Sequence, residues 1–316
     1  AMVTASGGVP GYTYQWFNGE TTDTITGLQA STYPVTITDA QGCTAIDSVT
    51  LMHPPQIVIT TNITSNYNGF NVSCHDANDG VADVSATGGT GAYTYLWSGG
   101  QTTTTAVGLT RGTYAVTVTD INGCWTMHTD SLTAPPALAD TFIAVQNTGC
   151  FGLSDGTATA LVSGGIPPYT FVWDNGETSA TATNLDFGIH TLTITDNNGC
   201  TLIDNVSIFQ PLELTASTSS TSVTCFGDSN GTATVVGAGG TLPYTYLWSD
   251  GQTNATANNL SAGVYSVTLS DANACMVTTS TTLTEPSDIA ASISITSNYN
   301  GSAISCHGAT DAQLTA

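Results

Sequence analysis

The chain has 316 residues, 23 of them Asp or Glu, no Lys and one Arg (Arg111), for a formal net charge of −22. Binding a phosphate backbone requires Lys and Arg to release counterions, so nucleic acid is excluded as a partner, and an anionic membrane surface is disfavoured for the same reason. Thr, Ser, Gly, Asn and Val dominate, with no long apolar run at helical spacing and no membrane-inserting segment, so the composition favours strands and turns.

A block beginning Y-T-[YF]-x-W and ending near G-C occurs four times, opening at Tyr12, Tyr93, Tyr169 and Tyr244. Its tryptophans, Trp16, Trp97, Trp173 and Trp248, stand 81, 76 and 75 residues apart, so the chain reads as a tandem array. Proline marks the joints at Pro54-Pro55, Pro135-Pro136, Pro211 and Pro286, where a fixed φ and a missing donor make a short stiff link. The expected units are a partial repeat at 1–54, full repeats at 55–135, 136–210 and 211–285, and the start of a further one at 286–316. Residue 1 falls inside a repeat and no signal peptide precedes it, so the chain reads as a window on something longer. A longer period also shows: I-T-S-N-Y-N-G at Ile63–Gly69 returns unchanged at Ile295–Gly301, which points to a three-unit super-repeat.

Within 55–135, strand A is expected over Gln56–Ser73 and strand B over Gly80–Ala86. On strand C, period-two alternation puts Tyr93, Tyr95 and Trp97 on one face. A Thr run leads to Leu109 and a Gly turn. Strand F follows, with Tyr114, Val116 and Val118 facing one way and Thr113, Thr117 and Thr119 the other. Strand G runs from Cys124 to about Thr133. Alternation with a turn every eight to twelve residues predicts an antiparallel β-sandwich. Recurrence at one phase assigns Trp16, Trp97, Trp173 and Trp248 to the cores. Tyr114 and Tyr265, with Tyr33, take the place of a tyrosine corner, and His190 is its structural substitute in the third copy.

The eight cysteines lack C-x-x-C spacing, which argues against zinc and iron–sulfur sites. Cys43, Cys124, Cys200 and Cys275 end the turn after strand F; Cys74, Cys150, Cys225 and Cys306 open the next unit. Two cysteines at fixed phase per repeat predict disulfides and an oxidising compartment. Their pairing depends on strand parity. Six strands would bring the two cysteines of one repeat to the same end, as in Cys74–Cys124. Seven would join successive repeats, as in Cys74–Cys200 and Cys150–Cys275. The span from Trp97 to Arg111 leaves little room for two strands, yet an extended array gains from a locked joint. Staples between repeats are the reading taken.

Asp76, Asn78 and Asp79, with Asp155 and Asp228 in equivalent loops, supply oxygens of the kind Ca²⁺ takes; they are also ordinary turn formers, and turn formation is the reading preferred. No other cofactor is expected. Trp125 follows Cys124 where the other copies have Thr44, Thr201 and Met276, and is the one Trp expected to be exposed. No nucleophile elbow, phosphate loop or HExxH helix is present, so the chain is read as non-enzymatic.

At the level of Y-T-Y-x-W-S-x-G-x-T-T … G-L-x-x-G-T-Y-x-V-T-V-T-D-x-x-G-C, the chain resembles the SprB repeat of large surface adhesins of Bacteroidota, gliding-motility adhesins among them. That repeat is similar to PKD and other Ig-like modules. The resemblance covers nearly the whole chain. It implies an all-β array of Ig-like sandwiches in a secreted, cell-surface filament exported by type IX secretion. It also implies glycosylation at Thr24, Ser48 and Ser131, which sit in short Asp-Ser/Thr-apolar motifs. Three functional readings follow: an adhesive structural filament; a glycan-binding module acting through Trp125 or loop aromatics; and a subunit of a multi-chain fibre built on the Thr-rich faces. Expected partners are neighbouring repeats, copies of the chain, and surface glycans or solid substrata.

Overall fold

The computed structural model describes residues 1–298 and 300–315, so Tyr299 of the repeated heptapeptide lies outside the described residues. Among these there are 23 strands and no helix. Contacts divide the chain into two compact units. One holds Ala1–Ala137, Gly164–Ile166 and Asn197–Cys200; the other holds Leu138–Ser163, Pro167–Asp196 and Thr201–Ala316.

In the first unit, β1 (Thr13–Trp16), β2 (Thr32–Thr38) and β3 (Thr44–Thr50) form one antiparallel sheet. The next six strands are β4 (Val58–Ile63), β5 (Gly80–Thr87), β6 (Thr94–Trp97), β7 (Thr105–Leu109), β8 (Gly112–Thr119) and β9 (Trp125–Leu132). They make two three-stranded sheets, β4-β5-β7 and β6-β8-β9. Alternate residues of both sheets meet in one core around Trp97, with Val72, Ala82, Val84, Ala106, Leu109, Val116, Val118 and Leu132. Leucine and β-branched residues at period two make such a face, and the threonines between them point away. The smaller core of residues 1–54 holds Trp16, Ile25 and Val35, and every residue of β3 is exposed.

The second unit repeats the pattern. Strands β10 (Ala139–Gln146), β11 (Gly156–Ser163), β12 (Thr170–Trp173), β13 (Thr181–Leu185), β14 (Gly188–Thr195) and β15 (Thr201–Ile208) pack around Trp173. Strands β16 (Thr215–Thr221), β17 (Gly231–Ala238), β18 (Thr245–Trp248), β19 (Thr256–Leu260), β20 (Gly263–Ser270) and β21 (Met276–Leu283) pack around Trp248. A short hairpin, β22 (Ser294–Ile295) with β23 (Leu314–Thr315), completes the unit.

Two expectations about strands need correction. Strand A is β4 alone, and the rest of the stretch expected as strand is loop. The Trp97–Arg111 span has room for one strand only beyond Trp97, β7, so each repeat has six strands and not seven. Yet six strands do not bring its two cysteine loops to one end, because β6 and β7 are two halves of one pass. β6 runs antiparallel to β8, and β7 antiparallel to β5. Gly80, which opens β5, lies where a Cβ would strike the Leu109 carbonyl and the Leu132 side chain, so β5 and β8 both start at the end where β7 finishes. β6 and β7 therefore run in the same direction. The chain leaves one sheet at Trp97, whose N–H bonds the Gln101 carbonyl at 2.9 Å, and is caught in the other by the Val84 N–H on the Thr104 carbonyl at 2.8 Å. Each six-strand repeat thus crosses its sandwich five times, and its termini lie at opposite ends.

Removing the indole at the centre of this path tests the assignment. Trp97→Ala should cost about 3–5 kcal/mol of unfolding free energy in its repeat. Trp125→Ala, at a residue 68% exposed, should stay within about 0.5 kcal/mol. Denaturant titration followed by far-UV circular dichroism measures both.

Candidate functional site

The odd number of passes separates the two cysteine-bearing loops of a repeat. The loop between β4 and β5, which carries Cys74, lies at the end where the chain leaves: His75 Nδ1 is 2.9 Å from the Pro135 carbonyl. The turn between β8 and β9, which carries Cys124, lies where the chain arrives. There Gly89 N–H bonds the Pro55 carbonyl at 2.7 Å, and Thr90 N–H bonds Asp120 Oδ2 at 3.0 Å. Cys74 and Cys124 thus stand at opposite ends and cannot meet.

The bonds formed are Cys74–Cys200 in the first unit and Cys150–Cys275 in the second, each with Cα atoms 5.7 Å apart. In both, the cysteine of one repeat's first loop joins the turn cysteine of the repeat that follows in sequence. Each bond has a polar companion. Asn198 Nδ2 donates to the Ser73 carbonyl at 2.9 Å, and Asn273 Nδ2 donates to the Gly149 carbonyl at 2.8 Å. An asparagine two residues before the turn cysteine thus grips the carbonyl just before the first-loop cysteine. The expectation that all eight cysteines are bonded is corrected: Cys43, Cys124, Cys225 and Cys306 carry free, exposed thiols. Under the same pairing rule, none of them has a counterpart within the described residues.

The turn cysteine is positioned by the aspartate four residues before it. Asp120 Oδ1 accepts from the N–H groups of Asn122 at 3.0 Å and Cys124 at 2.9 Å; Asp271 does the same for Asn273 and Cys275, and Asp39 for Gln41 and Cys43. The second carboxylate oxygen ties the turn to the Gly-rich link between sheets, at Thr90, Thr241 and Val9. The Thr90 N–H leads the effects that hold the Asp120 carboxyl below the usual carboxylate range, and the Val9 N–H does the same for Asp39. These aspartates were visible only as the D of D-x-x-x-C. The signal that marks them is that recurrence at fixed distance from the cysteine.

The first loop is built in the same manner. Asp79 Oδ1 accepts from the Ser73 N–H at 3.0 Å, Asp155 from Gly149 at 3.0 Å, and Asn230 from Thr224 at 3.1 Å. The structural equivalent of Asp79 in the fourth repeat is therefore Asn230, not Asp228. Asp76 turns toward Arg111 at 3.7 Å, and Asn78 places its backbone carbonyl near Gly108. Asp76, Asn78 and Asp79 do not converge, and among the described residues no group of three His, Cys, Asp or Glu could hold a metal. Thr24, Ser48 and Ser131 are all exposed, with the Ser131 hydroxyl 3.1 Å from that of Thr113.

Core tryptophans and corner residues are satisfied in parallel. Each indole N–H donates to the carbonyl six residues on: Thr22, Thr103, Ser179 and Asn254, at 2.8 to 3.0 Å. Tyr33 and Tyr265 donate to the carbonyl four residues back, and the Tyr114 hydroxyl accepts from the Thr110 N–H. His190 occupies this corner in the third repeat, 7% exposed. Its Nε2 is 3.0 Å from the Asp186 carbonyl and 3.2 Å from Asp186 Oδ1, and its Nδ1 is 3.1 Å from Asp174 Oδ1. Oxygen acceptors at both nitrogens favour the doubly protonated ring. Burial lowers its pKa, but the Asp186 carbonyl and the Asp174 carboxylate together outweigh that and raise it above 6.5.

Comparison with known proteins bears on the repeat directly. The model of the SprB repeat matches residues 1–21, 70–102, 143–178 and 217–253. The model thus matches the chain at four places, one in each of the first four repeats. The second, third and fourth matches each run from before a first-loop cysteine to just past a core tryptophan, so the conserved-length block is the first loop, β5 and β6 or their equivalents. None of the characterised proteins compared by sequence matches the chain. Solved structures it is similar to include immunoglobulin domains 1–5 of Sidekick-1 (13% identity, 87% of this chain and 74% of that one, TM-score 0.31). Another is the three N-terminal domains of the outer capsid protein Hoc of bacteriophage RB49 (14%, 72% and 97%, 0.34). A third is a Ca²⁺-stabilised adhesin that helps an Antarctic bacterium reach out and bind ice (18%, 89% and 92%, 0.34).

The corner histidine predicts a pH dependence. Its folded pKa is raised, so its contribution is fully present below the unfolded value of about 6.5 and is lost as pH rises through the folded value. Wild-type melting temperature should fall across that range relative to His190→Tyr, which restores the corner residue of the other repeats. Asp120 and Asp39 act in the opposite sense: their stabilisation is present above about 3.9 and disappears as pH falls through their depressed values. Thermal melts from pH 3 to 9 on wild type, His190→Tyr and Asp120→Asn check both signs.

Proposed function

We propose that this chain is a load-bearing, non-enzymatic segment of a long extracellular filament at the cell surface, used in adhesion. The observation that carries the reading is the overlap of the two disulfides. Along the backbone, Cys74 and Cys275 are 201 residues apart. Through the bonds the path is Cys74 to Cys200, back fifty residues to Cys150, then across to Cys275. At about 3.5 Å per extended residue, roughly 700 Å of slack falls to roughly 175 Å. A chain so stapled limits how far a pulled filament lengthens when a repeat unfolds.

Stable disulfides in so acidic a chain support an oxidising, extracellular location. The acidity keeps copies soluble and mutually repelling. Adhesive contact with surface glycans or solid substrata, service in gliding, and export by type IX secretion extend this reading from the SprB resemblance. The repeat boundaries at 54/55, 135/136, 210/211 and 285/286 belong to the same proposal.

Single-molecule stretching decides the mechanical part. Adding a reductant should lengthen the fully stretched Cys74–Cys275 segment by about 500 Å, the difference between the two paths. Equal lengths with and without reductant would remove the reading. Antibody labelling of this segment on intact cells, lost after external protease, checks the location.

A further inference from the structure

A cavity of about 900 Å³ opens beside the first loop of the second repeat, within the size range of clefts that hold small ligands. Its walls include Phe70, His75, Asp76, Arg111, Ala134 and Pro136. Arg111 is the only Lys or Arg in a chain of net charge −22, so the one permanently cationic side chain of the protein lines this opening.

The other full repeats fill the same place from within. In the third, the Gly152 N–H donates to Gln210 Oε1 at 2.9 Å; in the fourth, the Gly227 N–H donates to Glu285 Oε2 at 2.9 Å. The matching residues of the second repeat are Asp76 and Ala134. A methyl group cannot reach the loop, and the Asp76 N–H has no acceptor among the described residues. Further replacements accompany this opening. Arg111 stands where the third and fourth repeats have Phe187 and Ala262, and His75 where they have Phe151 and Phe226. Residues 64–73 separate β4 from Cys74, where only 147–149 and 222–224 separate β10 from Cys150 and β16 from Cys225. The longer stretch folds back at Tyr67, whose N–H bonds the Phe70 carbonyl at 2.8 Å, and delivers Phe70 to the cavity wall.

We infer that this cavity binds a sugar acid, a pyranose unit carrying a carboxylate, of the kind that acidic polysaccharides present. The Glu285 carboxylate shows in the fourth repeat where such a group sits, on the N–H of the second residue after the first-loop cysteine. In the second repeat the ligand's carboxylate takes that N–H and gains the Arg111 guanidinium, whose fork of donors matches it. Arg111 Nη2 is 3.7 Å from Asp76 Oδ1 with both side chains well exposed, so little is lost when the ligand shares the cation. Asp76 then accepts from a ring hydroxyl. His75 Nδ1 is fixed on the Pro135 carbonyl at 2.9 Å, which leaves Nε2 as a second hydroxyl acceptor in the neutral ring. Phe70 and Pro136 supply apolar surface for a pyranose face. A simple carboxylate would satisfy Arg111 and leave both acceptors unused, which favours the sugar acid.

This inference goes beyond the filament reading and is separable from it: binding is measured on the chain in solution, stretching on the chain under load. Because the chain has a single Arg, one guanidinium Nε–H resonance reports on the site. Titrating the full, isotope-labelled chain with glucuronate should shift that resonance and the Asp76 amide saturably in nuclear magnetic resonance spectra. Glucose should move neither, and propionate should bind about tenfold more weakly or worse. Arg111→Gln, at an exposed residue, should weaken glucuronate binding about tenfold or more. Ala134→Glu restores the fourth repeat's arrangement, so it should abolish binding and shift the Arg111 signal without ligand, while circular dichroism stays that of the wild type. No saturable shift with glucuronate, equal affinity for glucose or propionate, or unchanged binding in either folded variant would overturn the inference.

Discussion

The route of the chain past each core tryptophan governs the rest of the molecule. At Trp97 the indole is buried, its N–H is satisfied by the Thr103 carbonyl, and the backbone passes from the β6 sheet to the β7 sheet without reversing. Had it reversed there, each repeat would cross its sandwich six times and both cysteine loops would share an end. The passage makes five crossings, so the first loop and the β8–β9 turn are held at opposite ends. Cysteines so separated can bond only to another repeat. A buried aromatic thereby decides a covalent connectivity more than a hundred residues long.

Local hydrogen bonding then gives that connectivity its precision. A disulfide needs Cα atoms within a narrow range, and both bonds meet it at 5.7 Å. The aspartate of D-x-x-x-C holds two N–H groups of its own turn with one oxygen and the neighbouring inter-sheet link with the other. The aspartate or asparagine five residues after each first-loop cysteine accepts from the N–H of the residue just before that cysteine. Carboxylates that a composition count reads as surface charge are in these places structural acceptors. With one Arg and no Lys in the chain, backbone N–H groups are the donors that can satisfy them.

The third repeat shows how one corner admits different chemistry. The tyrosine that closes the corner elsewhere bonds through a neutral hydroxyl. His190 presents two donors, and the residues that face it, Asp174 and Asp186, differ from the Ser98 and Thr110 of the second repeat. Three changes in contact thus replace a neutral hydrogen bond by a protonated one without moving the strands.

Much of the fold was legible in the sequence. The recurrence of Trp16, Trp97, Trp173 and Trp248 marked the cores, period-two alternation marked the strands, and the spacing of cysteines marked two structural roles. These are local patterns, and local patterns follow from side-chain direction along an extended backbone. Parity was not legible, because counting strands assumes that each one reverses the chain, and β6 and β7 do not. Nor were the roles of Asp120, Asp79, Asn198 and Asn273, whose partners lie in other loops. The sequence by itself determined the repeat, the all-β character and the placement of cysteines at fixed phase. Only the tertiary structure decided which cysteines meet, because that depends on the end of the sandwich each loop occupies, a property of the whole path through both sheets.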